Sequence, residues 1–277
     1  MLLRFLRILF LSSKEIVFKM EKQIVKTKYL KSISYILVAI LLFAFNMSVS
    51  ADMLGQWLLN EDAKDTSGNG NDGEIIGKAN WVDGKFGKAL ELDGSTTALK
   101  ISPGLSFEQF TVALYANSTK EWGMTRTELW AGSKKYGDAV LIRGDDRGDW
   151  YKGEAMLHWT DGEGGWFAIG SGKLDQDKWY HLAGTFDGTT LKFFLDGKLV
   201  GQEDSKIGAG DADTFIGSHP IPTNFFQGMI DDVAIYDHSL SSDEIKKIAE
   251  MGLATKSTAV DSVRKLSVQW SRIKFSN

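Results

Sequence analysis

The stretch Trp179–Gln202 constrains the fold more than any other part of the chain. Its sequence, WYHLAGTFDGTTLKFFLDGKLVGQ, contains the pairs Asp187-Gly188 and Asp196-Gly197 between runs of alternating side chains. A two-residue type I′ turn needs positive φ at both central residues, which Asp tolerates and Gly prefers. Because successive side chains of a strand point to opposite faces, the stretch predicts an antiparallel meander of three strands with two tight turns.

The composition narrows the class of protein and of partner. The chain has 277 residues, of which 43% are hydrophobic and 25% charged, and a single β-sandwich of about 200 residues would use most of it. The formal net charge is −4, and no long basic stripe follows residue 52, so nucleic acid is not an expected partner. Cysteine is absent, which excludes disulfides and thiolate metal sites.

The N-terminus has the pattern of a secretory signal peptide. Lysines between positions 22 and 31 precede the apolar run Ile33–Phe45, and the small residues Ser48–Ala51 follow. This order predicts a signal over residues 1–51, cleavage before Asp52, and an extracellular or periplasmic location; Met20 is an alternative start codon. The apolar run is shorter than the roughly 20 residues of a spanning helix. The alternative is an uncleaved segment, which would be the protein's single contact with the membrane.

The loop after the first predicted strand is dense in oxygen donors and glycines. Asp65, Ser67, Asn69 and Gly70 match the start of an EF-hand loop, but Ile76 stands where a bidentate Glu is required. An EF-hand is therefore excluded. Carboxylate, amide and backbone oxygens remain the ligands that Ca²⁺ prefers, whereas Asx side chains in such loops also bond their own backbone. The loop alone leaves both interpretations open.

Four segments resemble the laminin-G-like domains, which are concanavalin A-like jellyrolls. They are the meander, the loop around Asp65, the piece GKFGKALELDG at 84–94 and the piece FQGMIDDVAIYDHSL at 226–240. The resemblance covers roughly residues 53–252 and implies an all-β antiparallel sandwich over 52–252 with one short C-terminal helix. A linker and a basic tail then occupy 253–277, where alternating apolar residues leave an extra strand or a docking segment as open interpretations.

The resemblance also implies a metal site. In such domains the opening loop often helps to hold a structural Ca²⁺, and the closing strand runs beside the opening one. Asp231 is then expected to approach Asp65 and Asn69 and to supply the distant carboxylate that a Ca²⁺ site needs. The alternative is that Asp231 and Asp232 flank a bulge and bond backbone amides only.

One helix is predicted after the closing strand. Ser241 and Glu244 form a capping box, and Leu240 with Ile245 forms a hydrophobic staple. Gly252 is positioned to end the helix.

The segment 143–172 carries the candidate ligand-binding residues. Aromatic rings flanked by charged groups suit sugar binding, because a ring stacks on the C–H face while polar groups bond the hydroxyls. The candidates are the following aromatic and charged residues: Trp150, Tyr151, Trp166, Arg143, Asp145 and Asp146. The alternative is packing, since 156–159 and 166–169 are also typical of paired strands with cross-strand aromatics. For Trp159, packing is the favoured interpretation.

Catalysis is not expected. Laminarinase-like glycoside hydrolases share this sandwich and carry Glu-x-Asp-x-(x)-Glu on one strand. Here Glu91-Leu92-Asp93 supplies two carboxylates, but Gly94–Thr97 follow and the acid is missing, whereas glycoside hydrolysis normally needs a flanking carboxyl pair. Glu91 is predicted to face solvent and Asp93 to lie in a turn. His158, the first of four histidines, has no metal-ligand spacing to the others.

The sequence therefore predicts a secreted, non-catalytic module that binds a polysaccharide or a cell-surface glycan, with a structural Ca²⁺ as the expected ion. The alternative is an extracellular adhesion or interaction module whose partner is a protein. A glycoside hydrolase or lyase is the least favoured class. The fold by itself does not decide among them, because this sandwich supports all three functions.

Overall fold

The computed structural model describes residues 53–101, 108–123, 127–134, 137–144, 152–161, 163–207, 213–219 and 223–253. Within these ranges the chain forms antiparallel strands and one helix. The elements are β1 Met53–Trp57, β2 Gly73–Ile76, β3 Asn80–Asp83, β4 Lys88–Asp93, β5 Ala98–Ile101, β6 Phe110–Ser118, β7 Thr127–Lys134, β8 Gly137–Gly144, β9 Glu154–Thr160, β10 Trp166–Lys173, β11 Trp179–Phe186, β12 Thr190–Leu195, β13 Lys198–Asp204, β14 Thr214–Ile216, β15 Gln227–Tyr236 and α1 Ser242–Met251. The predicted all-β sandwich with one short C-terminal helix is confirmed.

The strands form two sheets. Sheet A has the order β13-β12-β11-β6-β15-β4-β3, with β1 paired to β15, and sheet B has the order β10-β9-β8-β7-β14-β5-β2. The main core lies between them and takes buried apolar side chains from both sheets. Its members include Leu90, Leu114, Leu182, Phe193 and Ile230 from sheet A and Leu99, Ile142, Leu157 and Ile216 from sheet B.

The second turn of the central meander has the predicted geometry. Asp196 and Gly197 have φ values of 48° and 76°, and Leu195 pairs with Lys198 across the turn. Positive φ at both central residues is the requirement of a two-residue type I′ turn. The Asp-Gly pair therefore sets the register between β12 and β13.

The first turn of the meander differs from the prediction. The prediction of a two-residue turn at Asp187-Gly188 is wrong. β11 ends at Phe186 and β12 begins at Thr190, so three residues connect the two strands. The carboxylate of Asp187 accepts hydrogen bonds from the backbone N–H groups of Thr189 and Thr190. These bonds organise a three-residue loop, which the dipeptide alone did not indicate.

Helix α1 covers part of the outer face of sheet A. Ala183, Ala113 and Ala234 pair across three neighbouring strands, and their small side chains leave room for a helix. Ile245 and Ile248 pack with them in one buried cluster. Within the described residues no helix lies on the outer face of sheet B, although Arg143, Met156 and His158 of that face are buried.

The predicted helix ends are confirmed. The Ser241 hydroxyl accepts from the N–H of Glu244 while the Glu244 carboxylate accepts from the N–H of Ser241. Gly252 ends the helix with a φ of 70°. These bonds satisfy backbone groups that a helix end otherwise leaves without partners.

The predicted signal peptide and basic tail, at 1–51 and 253–277, lie outside the described residues apart from Leu253. In the part of the chain that is described, no helix is long and apolar enough to cross a membrane.

Replacing Gly197 by Ala is expected to lower the free energy of unfolding by roughly 3 kcal/mol, from left-handed backbone strain and from overpacking. An added Cβ would lie 2.9 Å from Cα of Lys246 in α1. Gly70 is the matched control, since its φ is 79° and no atom lies within 4 Å of the added Cβ. Gly70→Ala is expected to cost only about 1 kcal/mol. Urea denaturation measures both, and equal losses would contradict close docking of α1.

Candidate functional site

Strands β9 and β10 form a hairpin at the edge of sheet B that carries the predicted ligand-binding segment. Trp159 is fully buried in the core, which confirms that it serves packing. Its neighbours His158 and Thr160 therefore lie on the outer face of the sheet. Thr160 pairs directly with Trp166, so Trp166 lies on this outer face as well.

The ring of Trp166 is held by a stacking contact. It stacks on the imidazole of His158, with ring centroids 5.0 Å apart and an interplanar angle of 28°. Trp166 is 54% exposed, whereas His158 is buried. The imidazole of His158 therefore positions one face of the indole, and more than half of the Trp166 surface is exposed to solvent.

A tight turn fixes the start of β10 and with it Trp166. Oδ1 of Asp161 accepts from the backbone N–H groups of Glu163, at 2.7 Å, and Gly165, at 2.9 Å. These bonds, that of Glu163 first, lower the pKa of the Asp161 carboxyl. The carboxylate therefore stays charged at neutral pH and orders the turn.

The other face of the same hairpin is anchored in the core. Phe167 stacks on Trp159 with centroids 5.7 Å apart and an interplanar angle of 17°. Nε1 of Trp159 donates to the Ser205 hydroxyl at 2.9 Å. The hairpin is consequently held by contacts that do not involve the exposed ring of Trp166.

Arg143 shares this outer face but does not reach solvent. It pairs with Met156 across β8 and β9 and is 0% exposed. The expectation that its guanidinium contacts a surface ligand is therefore corrected, because the side chain is enclosed by its surroundings. Arg143 is therefore a buried residue of this face.

The remaining predicted ligand residues, Trp150, Tyr151, Asp145 and Asp146, lie outside the described residues. One residue of this face, His158, was not among the predicted ligand-binding residues. The signal that could have found it is the hairpin register, which places an outward His158 diagonally across from Trp166.

The opening loop is organised around Asp65. Its Oδ1 accepts from the N–H groups of Gln56 and Ser67, and its Oδ2 accepts from that of Asn71. Burial raises the pKa of this carboxyl, but the hydrogen bonds from Ser67, Gln56 and Asn71 outweigh it and leave the pKa lowered. The alternative interpretation, in which an Asx side chain bonds its own loop, describes these contacts.

The other two predicted Ca²⁺ ligands make contacts elsewhere. Asn69 is exposed, and its amide donates to the carbonyl oxygens of Met53 and Leu54. Asp231 is fully buried, and its Oδ2 accepts from the N–H of Phe86 at 2.8 Å. None of the contacts described joins these three residues to one another. Among the described residues there is also no group of three or more His, Asp or Glu side chains arranged to hold a metal.

Asp231 and Asp232 sit at a bulge in β15, where the pairing with β6 shifts register. Oδ2 of Asp232 accepts from the N–H of Leu253. Burial raises the pKa of Asp231 to about 7, with a further increase from the charge of Asp232. Burial likewise raises the pKa of Asp232 to about 6. This arrangement matches the alternative prediction, in which Asp231 and Asp232 flank a bulge and accept hydrogen bonds from backbone amides.

The two carboxylates of the incomplete hydrolase motif have separate structural contacts. Glu91 is half-buried on the outer face of sheet A and accepts a hydrogen bond from the amide of Asn80. Asp93 accepts from the N–H groups of Ser95, Thr96 and Thr97 and from the Thr96 hydroxyl. Although partial burial raises the pKa of Asp93, these bonds lower it well below its usual range. Asp93 is therefore the predicted turn residue.

Two antiparallel sheets in this order, with a short helix on the outer face of one of them, define a jellyroll β-sandwich. The chain belongs to the concanavalin A-like lectin/glucanases superfamily, whose Laminin_G_3 family model matches residues 93–246. The resemblance inferred from the sequence is confirmed. No curated protein matches the chain significantly.

Solved structures share the fold at low sequence identity. Domain 4 of AbnA, a GH43 extracellular arabinanase from Geobacillus stearothermophilus solved with arabinotriose, is 24% identical with a TM-score of 0.60, over 72% of this chain and 98% of that domain. The binding domain of Paraclostridial Mosquitocidal Protein 1 is 16% identical with a TM-score of 0.57, over 72% of this chain. The receptor-binding domain of botulinum neurotoxin D is 16% identical with a TM-score of 0.56, over 73% of this chain. The chain spans about half of each toxin domain, 52% and 53% respectively.

Replacing Asp231 by Asn is expected to change how stability depends on pH. The unfolded state releases the Asp231 proton near pH 4, whereas the native state keeps it to about pH 7. This group therefore stabilises the wild type at low pH, and the contribution is lost as pH rises. The wild type should lose about 1.4 kcal/mol per pH unit relative to Asp231→Asn between pH 4.5 and 6.5. Urea denaturation at several pH values measures the difference.

If the difference in free energy of unfolding between the two proteins does not change with pH, Asp231 is ionised in the native state, as a metal ligand would be. His181 provides a control of opposite sign. Burial lowers its pKa to about 3, so the wild type should lose stability relative to His181→Phe as pH falls below about 6.5.

Proposed function

We propose that the protein is an exported, non-catalytic module that binds a polysaccharide or a cell-surface glycan on the outer face of sheet B. The observation that carries the proposal is the exposed ring of Trp166, stacked on His158 with centroids 5.0 Å apart. A sugar presents a C–H face that packs on such a ring, and a side chain already fixed in place loses little entropy on binding.

The surroundings of Trp166 supply the polar part of such a site. Thr160 pairs with Trp166, and the Asp161 carboxylate orders the adjoining turn. A few fixed polar groups beside an aromatic surface are typical of small-ligand sites. Trp150, Tyr151, Asp145 and Asp146 remain predicted contributors to the same site.

The chemistry of the strand β4 supports a non-catalytic role. A retaining or inverting glycosidase needs one carboxyl group that donates a proton and a second that acts as base or nucleophile. Asp93 is bound by four hydrogen bonds to its own turn, and Glu91 is bonded by Asn80. Burial raises the pKa of Asp93, but the hydrogen bonds of its turn outweigh this effect and lower it, whereas the proton donor of the reaction needs a raised pKa.

The similar proteins favour binding as the common property of this fold. The arabinanase domain was solved with arabinotriose, and the toxin domains are described as binding or receptor-binding domains. Export rests on the tripartite N-terminal pattern. An extracellular or periplasmic location follows from that pattern.

An interaction with an extracellular protein is the second candidate. It is favoured by apolar side chains exposed on the edge strands β10 and β13, namely Phe167, Leu199 and Val200. Exposed apolar residues on edge strands are suited to contact another chain.

Trp166→Ala is expected to weaken retention on the preferred polysaccharide at least tenfold, because the stacking surface is removed while the core anchor of the hairpin remains. The full chain is tested against arabinan, xylan, β-glucans and mucin by affinity electrophoresis. Met251→Ala is the matched control, because Met251 is 50% exposed on α1. Equal retention of both variants would contradict a site at Trp166. Reducing ends released by the wild type would contradict the non-catalytic proposal.

A structural Ca²⁺ stays a prediction of the family resemblance. If Asp65, Asn69 and Asp231 hold the ion in the native state alone, EGTA lowers the Tm, because a ligand specific to the native state stabilises it. Adding back Ca²⁺ should restore the Tm, whereas Mg²⁺ should not. Identical melting curves would remove Ca²⁺ from the proposal and leave Asp65 as an organiser of backbone amides.

A further inference from the structure

A continuous row of side chains crosses the outer face of sheet A beside helix α1. Trp179 pairs with Asn117, Asn117 with Met229, Met229 with Glu91, and Glu91 with Asn80. Directly paired residues of neighbouring strands share a face. The five residues, here named the A-face strip, therefore span five strands, a distance of about 19 Å at the usual strand spacing.

Helix α1 stops short of this strip. The hydroxyl of Tyr115 donates to the carbonyl oxygens of Ile248 and Ala249 at the end of the helix, and Tyr115 precedes Asn117 by one outward position on β6. The side chains of Trp179, Met229 and Glu91 are half-buried and that of Asn80 is exposed. The strip thus forms a shelf that begins where the helix ends and is partly accessible on either side of the buried Asn117.

The polar groups of the strip include one without a partner. Asn117 is 6% exposed, and its Oδ1 has no hydrogen-bond partner among the described residues. Buried polar atoms in folded proteins are almost always hydrogen-bonded. At the other end, the amide of Asn80 donates to the carboxylate of Glu91. The shelf therefore combines an indole, a thioether, two amides and a carboxylate.

This combination selects a class of ligand. Amide and carboxylate groups bond hydroxyls, and an indole packs on the C–H face of a sugar ring. The strip contains no Lys or Arg, and Glu91 is its sole ionisable side chain, so it repels rather than attracts an anionic sugar. A neutral oligosaccharide is the ligand that matches both its length and its charge.

We propose that the A-face strip is a second glycan-binding site, specific for a neutral linear oligosaccharide. The outer faces of two packed sheets point in opposite directions, so one short oligosaccharide cannot occupy this strip and the Trp166 site together. A protein with both sites cross-links polysaccharide chains. This inference rests on the proposed glycan-binding function, although not on the site at Trp166.

The test titrates the full chain with four soluble neutral trisaccharides, namely arabinotriose, xylotriose, cellotriose and laminaritriose, by isothermal calorimetry. The variants are Trp166→Ala, Trp179→Ala and the double variant. Trp179 is half-buried, so its replacement can also affect folding. Asn80→Ala is therefore a further variant, because Asn80 is exposed and its loss spares the core. Two sites per molecule are expected in the wild type, one in Trp166→Ala and Trp179→Ala, and none in the double variant. Asn80→Ala should weaken the second site at least about fivefold.

Turbidity with the matching soluble polysaccharide provides an independent readout. The wild type should cross-link and cloud the solution, whereas each single Trp variant should leave it clear. One site that is lost in Trp166→Ala and unaffected by Trp179→Ala and Asn80→Ala would overturn the second site and keep the proposed function. One site lost in Trp179→Ala alone would keep the strip and overturn the Trp166 site. Absence of binding in the wild type would overturn both.

Discussion

The buried carboxylates at the bulge of β15 connect the separate parts of sheet A. β15 pairs with β6 along one side and with β4 and then β1 along the other. At its centre Asp231 accepts from the N–H of Phe86, in the turn between β3 and β4, and Asp232 accepts from that of Leu253, just beyond α1. Two neighbouring charges in this environment are costly, because burial penalises the ionised form. The raised pKa values of both groups reflect that cost.

The position of α1 follows from these contacts and determines which part of the outer face of sheet A is exposed. Asp232 holds the end of the helix, and the alanine row of Ala113, Ala183 and Ala234 receives its apolar face. Because α1 covers this alanine row, that part of the outer face of sheet A is buried. The proposed ligand sites accordingly lie on the outer face of sheet B and on the part of sheet A beyond the helix end.

Features set by neighbours in the chain could be predicted from the sequence. The Asp196-Gly197 turn and the Ser241 capping box depend on a few adjacent residues, and the structure contains both. The buried position of Trp159 followed from strand alternation. The fold itself was accessible through segments that resemble a known family, because such segments encode pairing that local patterns do not.

Features set by tertiary register were not accessible in the same way. The enclosure of Arg143 depends on what packs around β8, and the stack of His158 on Trp166 depends on the pairing of β9 with β10. The Asp187 loop exceeded its predicted length because a side chain bonds two amides beyond the dipeptide. The surroundings of Arg143 and His158 are not brought together by the linear sequence, whereas the Asp187 loop depends on Thr189 and Thr190, two and three residues further along.

Each of the two candidate surfaces includes a carboxylate, and this bears on the ligand. The Trp166 ring stacks on His158, and the Asp161 carboxylate lies in the adjoining turn, whereas the A-face strip has Glu91 as its one ionisable group. An anionic substituent is therefore disfavoured at both surfaces. Since the surfaces point apart, only a polymer engages both, and the second contact then occurs at a high effective concentration. If both proposed sites bind, weak individual affinities are sufficient for firm retention on a polysaccharide matrix.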